Sequence, residues 1–290
     1  MLKKLLKTLL AVVLTVSIVG CSPSKKIDYT EKGTIMTGTQ YETPYYLFDT
    51  EIEGPTIMII GGVHGIEIAG WGTALDMLHY EFRKGKVLVL PQINILADKL
   101  EMRYPGHSYD NVTYDERGIG FAEYEGVIYT DLNREFPGIS KENGGTVTQQ
   151  IAYETTELAK SYDVDYVIDM HESKETMKAG TGDVGDTVIY AEYKTDSYNY
   201  RTQGAKIANL MVDKFNETCL KEGEQPFQAV GGATKGSVAD KMTQVLNIPA
   251  FTFETNRKVG VNTYERRVEQ QKQLLEIFFK HVWEEEILSY

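Results

Sequence analysis

The sequence predicts an α/β fold of three layers, α/β/α, around a mixed and largely parallel central sheet. Three observations carry that expectation. Short apolar runs alternate with longer stretches of helical periodicity, the pattern of a sheet covered by helices on both faces. Thr56–Ile60 is an apolar run that stops at Gly61-Gly62, as a buried strand ending in a sharp turn would. The first runs have no helical segment between them, so part of the sheet is antiparallel.

Taken in order, the chain opens with a segment outside the fold. Lys3, Lys4 and Lys7 precede an apolar run, Leu9–Val19, that is too short to span a bilayer. Ile18-Val19-Gly20-Cys21 resembles a bacterial lipobox. That resemblance implies a signal peptide over residues 1–20, lipid on Cys21, and an extracytoplasmic protein anchored to the bacterial cell membrane as a lipoprotein. An uncleaved N-terminal anchor is the alternative. Residues 21–33 then serve as the lipidated cysteine and tether, and residues 34–290 form a single domain, of a size one full core can support. Of the two cysteines, Cys219 is left alone by a lipidated Cys21, so no intrachain disulfide is expected. It falls in a helical pattern and reads as a small buried hydrophobe.

Strands are expected near Thr34–Met36, Tyr45–Phe48, Thr56–Ile60, Val87–Leu90, Tyr166–Met170, Val188–Tyr190 and Phe251–Phe253. Helices are expected over Glu67–Phe82, Thr148–Ser161, Arg201–Leu220, Ser237–Val245 and Tyr264 to about Leu288. Two stretches, Tyr104–Tyr129 and Glu172–Asp186, break the rhythm and read as long loops, which in a compact domain are functional or mobile. The formal charge of −12 argues against a nucleic-acid partner, because phosphate binding needs clustered Lys and Arg.

The candidate site residues stand where strands end, which is where α/β proteins keep their sites. His64 and Glu67 follow the Gly61-Gly62 turn. An imidazole and a carboxylate with two residues between them can reach one zinc ion. His171, at the end of Tyr166–Met170, is the third candidate ligand. Asp169 projects to the same face two residues earlier and can orient it. His79, His107 and His281 have no such company and read as ordinary surface or loop residues.

Glu254 directly follows the apolar strand around Phe251–Phe253. A carboxylate there is costly to bury unless it is paired or used, and beside zinc it can shuttle a proton between water and a leaving amine. Arg134 offers a planar fork matched to a carboxylate, with Asn133 adding an amide donor. Arg103 is a cation that can steady a developing oxyanion. Taken singly, each of these residues is equally compatible with an ordinary solvated position.

H-x-x-E at His64/Glu67, Arg103, D-L-N-R-x-F-P-G from Asp131, D-x-H at Asp169/His171 and T-x-E at Thr252/Glu254 occur in one order. Together they resemble the zinc carboxypeptidase superfamily, and within it the succinylglutamate desuccinylase/aspartoacylase-like group. The resemblance spans Pro55–Glu254 and extends to Gly236-Ser237 and Asp240. It implies a zinc carboxypeptidase-like fold with one Zn2+ per chain on His64, Glu67 and His171. Glu254 would be general base and acid, Arg103 the oxyanion stabiliser, and Asn133 with Arg134 the clamp on a substrate carboxylate.

Departures from the family patterns bear on the substrate. Only 36 residues follow Glu254, and from Tyr264 they read as one amphipathic helix. The group typically carries a C-terminal β domain instead, so this ending is more like a carboxypeptidase. Carboxypeptidases usually place a substrate-binding tyrosine shortly before the segment matching Gly236-Ser237. No tyrosine lies between Tyr200 and Tyr264 here. The expectation is a zinc hydrolase that cleaves an amide next to a carboxylate, with a small N-acyl amino acid or a short peptide as substrate. A non-catalytic ligand-binding lipoprotein on the same scaffold is the alternative.

Overall fold

The apolar runs become one central sheet in the computed structural model, which describes residues 27–177, 183–193, 200–258, 260 and 262–284. In chain order the strands are β1 (Glu31–Ile35), β2 (Thr43–Asp49), β3 (Thr56–Ile60), β4 (Lys86–Leu90), β5 (Thr113–Tyr114), β6 (Gly120–Tyr124), β7 (Val127–Thr130), β8 (Tyr166–Ser173), β9 (Thr187–Tyr190), β10 (Gln228–Gly231) and β11 (Ala250–Asn256). The helices are α1 (Ile68–Met77), α2 (Ile95–Leu100), α3 (Val147–Ser161), α4 (Tyr200–Thr218), α5 (Val238–Leu246) and α6 (Tyr264–Glu284).

The eight-stranded sheet runs β1-β2-β4-β3-β8-β11-β9-β10, and β5-β6-β7 form a separate three-stranded sheet. Strands β4, β3, β8 and β11 are parallel neighbours. β1 and β2 flank them antiparallel on one side, and β9 runs antiparallel to β11 on the other. The sheet is therefore mixed with a parallel centre, as expected.

Side-chain alternation divides the core into two layers. Ile57, Ile59, Val87, Val89, Ile168, Met170, Phe251 and Phe253 point to one face, under α1, α4 and α6. Met58, Ile60, Leu88, Leu90 and Val167 point to the other, under α3 and α5. All are essentially without solvent exposure. That double burial explains why these strands read as continuous apolar runs.

Several boundaries differ from expectation for physical reasons. The folded domain begins before residue 34. β1 starts at Glu31, the Thr30 N–H bonds the Leu47 carbonyl at 2.8 Å, and Ile27 packs on the core. Helix α1 stops at Met77 rather than Phe82. Tyr80 and Phe82 turn back instead to meet Phe279, with ring centroids 5.6 and 5.7 Å apart.

The Tyr104–Tyr129 stretch is not a plain loop, because it folds into the β5–β7 sheet. The β6–β7 turn uses Glu125 and Gly126, both at positive φ (51° and 77°), the geometry that a two-residue hairpin requires. β10 and the short helix α2 were not anticipated. Cys219 is half-buried against the core layer under α4 and α6.

Residues 178–182 of the second irregular stretch lie outside the described residues. So do residues 1–26, with Cys21 and the signal-peptide expectation, and the last turn expected of α6. No helix among the described residues is long and apolar enough to cross a membrane.

Candidate active site

The site gathers where β3, β8 and β11 end side by side. His64 and Glu67 occupy the turn from β3 into α1, His171 lies in the last half of β8, and Glu254 sits opposite His171 in the register of β11. His64, Glu67 and His171 are buried, and their ligand atoms all lie within 4.8 Å of one another.

Glu67 stands between the two imidazoles. Its Oε1 is 2.8 Å from His64 Nδ1, and its Oε2 is 2.7 Å from His171 Nδ1. The far nitrogens are anchored as well, His64 Nε2 by Asp131 Oδ1 at 3.0 Å and His171 Nε2 by Asp169 Oδ2 at 2.8 Å. An imidazole that donates Nε2–H to a carboxylate turns its Nδ1 lone pair toward Glu67, so a proton or a cation must lie between them. Two imidazole nitrogens and a carboxylate, each histidine braced by an aspartate, form a donor set suited to zinc. The residues present fit that ion.

The electrostatics agree. Burial opposes charge on His171, but Asp169 and Glu67 outweigh it and hold the imidazole well above its ordinary range. Burial likewise works against the Glu67 carboxylate, and the two histidines overcome it, holding the group well below the usual range. A cluster this acidic and this buried favours a cation.

Asp131 is the hub that sequence reasoning left without a role. It caps the turn Leu132–Arg134 by accepting the Asn133 N–H at 3.0 Å, while the same Oδ1 holds His64. Its Oδ2 takes both Nε and Nη2 of Arg103, at 3.1 and 2.9 Å. The partners lie 67 and 28 residues away, and no local pattern signals such pairings.

A cavity of about 160 Å³ opens onto this cluster. Arg103, Asn133, Arg134 and Glu254 all line it, so every candidate of the described chain converges there. Asn133 accepts the Val238 N–H on Oδ1 at 3.1 Å, which ties the turn to the start of α5. Burial presses the Arg134 guanidinium below its ordinary range, against the pull of Asp131.

Glu254 Oε2 is buried and has no hydrogen-bond partner among the described residues. Burial pushes this carboxyl up to about 8, with His171 opposing the rise. A carboxyl so poised accepts and returns protons readily near neutrality. His107 is less ordinary than expected, since its ring packs edge-on between Tyr104 and Tyr109, with centroids 4.7 and 4.5 Å away.

The fold and the His-Glu-His cluster define a carboxypeptidase-like α/β/α scaffold with a site able to hold a metal ion. A family model for the succinylglutamate desuccinylase/aspartoacylase catalytic domain matches residues 53–187. That segment, which holds all the proposed ligands, is similar to the catalytic domain of the succinylglutamate desuccinylase/aspartoacylase group.

Solved structures share the fold. A succinylglutamate desuccinylase from Silicibacter aligns at 18% identity and a TM-score of 0.57, over 83% of this chain and 61% of its own. A succinylglutamate desuccinylase/aspartoacylase from Rhodobacter sphaeroides aligns at 19% and 0.59, over 89% and 67%. The tripeptide-bound cell shape determinant Csd4 of Helicobacter pylori aligns at 16% and 0.58, over 87% and 55%. The chain thus spans about three-fifths to two-thirds of the first two structures it resembles. No curated protein matches the sequence.

Proposed function

We propose that this protein is a zinc-dependent hydrolase that cleaves an amide bond next to a carboxylate, in N-acyl amino acids or short peptides. One observation carries the reading. A buried His-Glu-His cluster, an unpartnered glutamate oxygen and two arginines face the same small cavity at the ends of adjacent strands. His64, Glu67 and His171 would hold the ion. Zinc held there would polarise a carbonyl and acidify water.

The chain's own groups divide the remaining work. Arg134, with the Asn133 amide beside it, binds the substrate carboxylate and fixes the scissile amide over the cluster. Glu254 takes the proton of the attacking water and later delivers it to the departing nitrogen. Arg103, held by Asp131, presents its remaining N–H groups to the oxyanion. Asp169 and Asp131 keep both histidines in the tautomer that ligates. The neighbouring desuccinylases and the tripeptide-bound Csd4 support both substrate classes named, small acyl amides and short peptides. A binding protein without catalysis would leave Glu254 with no task.

The lipobox at Ile18–Cys21 supports placing this activity outside the cytoplasm, on a lipid anchor. The deciding experiment measures metal content together with turnover on a panel of N-acyl amino acids and short peptides. One zinc per chain and chelator-sensitive release of a free amine are expected. A protein that takes up no zinc would remove this function.

A further inference from the structure

Helix α6 reaches the metal-ligand cluster from behind the sheet. Arg267 and Gln271, one turn apart on the same face, are both buried against the strand that carries His171. Gln271 Nε2 donates to the His171 carbonyl at 2.8 Å and to Thr255 Oγ1 at 3.1 Å. Arg267 Nε donates to one oxygen of Glu172, and its Nη1 to the Asn262 carbonyl at 2.9 Å. The other Glu172 oxygen accepts the Ala69 N–H at 2.9 Å, at the start of α1. The Glu172 N–H itself donates to Glu67 Oε2 at 3.1 Å.

These bonds form one connected path. Gln271 holds the backbone of one proposed ligand. Arg267, through Glu172, joins the end of β8 to the first turn of α1, next to another ligand. The two chain segments that must present His64, Glu67 and His171 to one ion are thereby tied to a third element.

Covering the core does not require this. Leu274, Leu275 and Phe278 on the same helix do that with apolar side chains. A buried ion pair gains little or nothing in stability over apolar residues of equal volume. The polar groups are instead placed at residues flanking ligands, where small displacements decide metal affinity.

We infer that Arg267 and Gln271 are positioning residues that set the affinity of the His64–Glu67–His171 cluster for zinc, a role that rests on the zinc-hydrolase function proposed above. Partners of metal ligands typically change metal affinity by about 10–100-fold when removed. Neither residue touches the substrate cavity, so the effect should appear in metal binding before it appears in substrate affinity.

The test uses the full chain, with zinc affinity read by competition against a chromogenic chelator and the stability of the metal-free protein read by urea unfolding. Gln271→Met, close in shape but without the donor, and Arg267→Met should each weaken zinc binding by about 10–100-fold. Val282→Ala, a core truncation further along α6, should lower stability yet leave zinc affinity within about two-fold of wild type. Arg267→Lys keeps a charged donor toward Glu172 and should recover most of the affinity lost in Arg267→Met. The two methionine variants are read independently, so either one decides the matter if the other fails to fold.

Wild-type zinc affinity in every methionine variant that folds would overturn the positioning role alone. So would a Val282→Ala protein that lost as much zinc affinity as they do. A wild-type chain that binds no zinc would overturn this role together with the function beneath it.

Discussion

Asp98 offers a pH test of stability that needs neither metal nor substrate. It lies in α2 beneath the turn that leads to His64, so close that a Cβ on Gly62 would sit 2.6 Å from its Oδ2. Only 7% of the residue is exposed, and neither carboxylate oxygen has a hydrogen-bond partner among the described residues. Burial pushes this carboxyl up from 3.8 to about 8, with Gln92 opposing the rise. The folded state therefore keeps the proton across the interval from about 4 to 8, while the unfolded chain has already released it. Stability contributed by the neutral acid is complete below about pH 4 and is lost as pH rises toward 8.

The full interval corresponds to a ceiling of roughly 6 kcal/mol, and local relaxation with water entry around the ionised acid lowers the measurable part to about 2–3 kcal/mol. Asp98→Asn cannot ionise, so its stability lacks this slope, whatever constant offset the amide introduces. Urea unfolding of both proteins at pH 5 and pH 9 isolates the effect, because every other group titrates in both. The variant should gain about 2–3 kcal/mol on the wild type between the two pH values. If the difference between the two proteins changes by less than about 0.5 kcal/mol, Asp98 is not held neutral and this account of the turn's underside is wrong.

Three further outcomes test the site and the anchor. Glu254→Gln should lower kcat by about 10²–10⁴-fold with zinc content unchanged, and a mutant that keeps its kcat would exclude Glu254 as the proton carrier. Arg134→Lys should cost on the order of 1.5–3 kcal/mol in kcat/KM on a substrate with a free carboxylate. Amidating that carboxylate should cost the wild type a similar amount and the mutant little more, and full additivity of the two losses would separate Arg134 from the carboxylate. Cys21→Ser should release the protein from the membrane fraction, whereas a variant that still sediments with membranes would point to an uncleaved N-terminal helix.

What the sequence made legible follows from locality. β3 and its neighbours were visible because strands buried on both faces must be apolar at successive positions, and glycines mark where they stop. The H-x-x-E and D-x-H pairs were visible because their spacing alone brings two side chains together. Asp131 stands inside a recognisable motif, yet nothing local indicates its task, since its partners come from other elements. The direction of β9 could not be read from its four residues, because strand direction is set by neighbours. β6 and β7 hid because most of their residues are only half-buried or exposed, with Glu125 and Gly126 as the one local turn signal. Gln270 and Gln271 read as the polar face of an amphipathic helix, yet both have no solvent exposure. Hydropathy assigns a glutamine to water and has no means of finding a carbonyl waiting for it.

The bond from the Val238 N–H to Asn133 Oδ1 also governs what the cavity can select. With the oxygen end of the amide committed at 3.1 Å, the NH2 end is the one left over, and its nitrogen makes no hydrogen bond among the described residues. Side-chain amides can usually rotate half a turn and exchange acceptor for donor, but this one is locked. Beside the Arg134 guanidinium, the proposed clamp therefore offers N–H groups only. A carboxylate, which carries lone pairs on both oxygens, satisfies all of them. A primary amide of the same size and shape sets its own N–H against theirs and leaves a desolvated donor unmet, at a cost of about 1–3 kcal/mol. The discrimination is made by lone pairs rather than by volume, so enlarging the cavity would admit bulkier acids before it admitted a single amide.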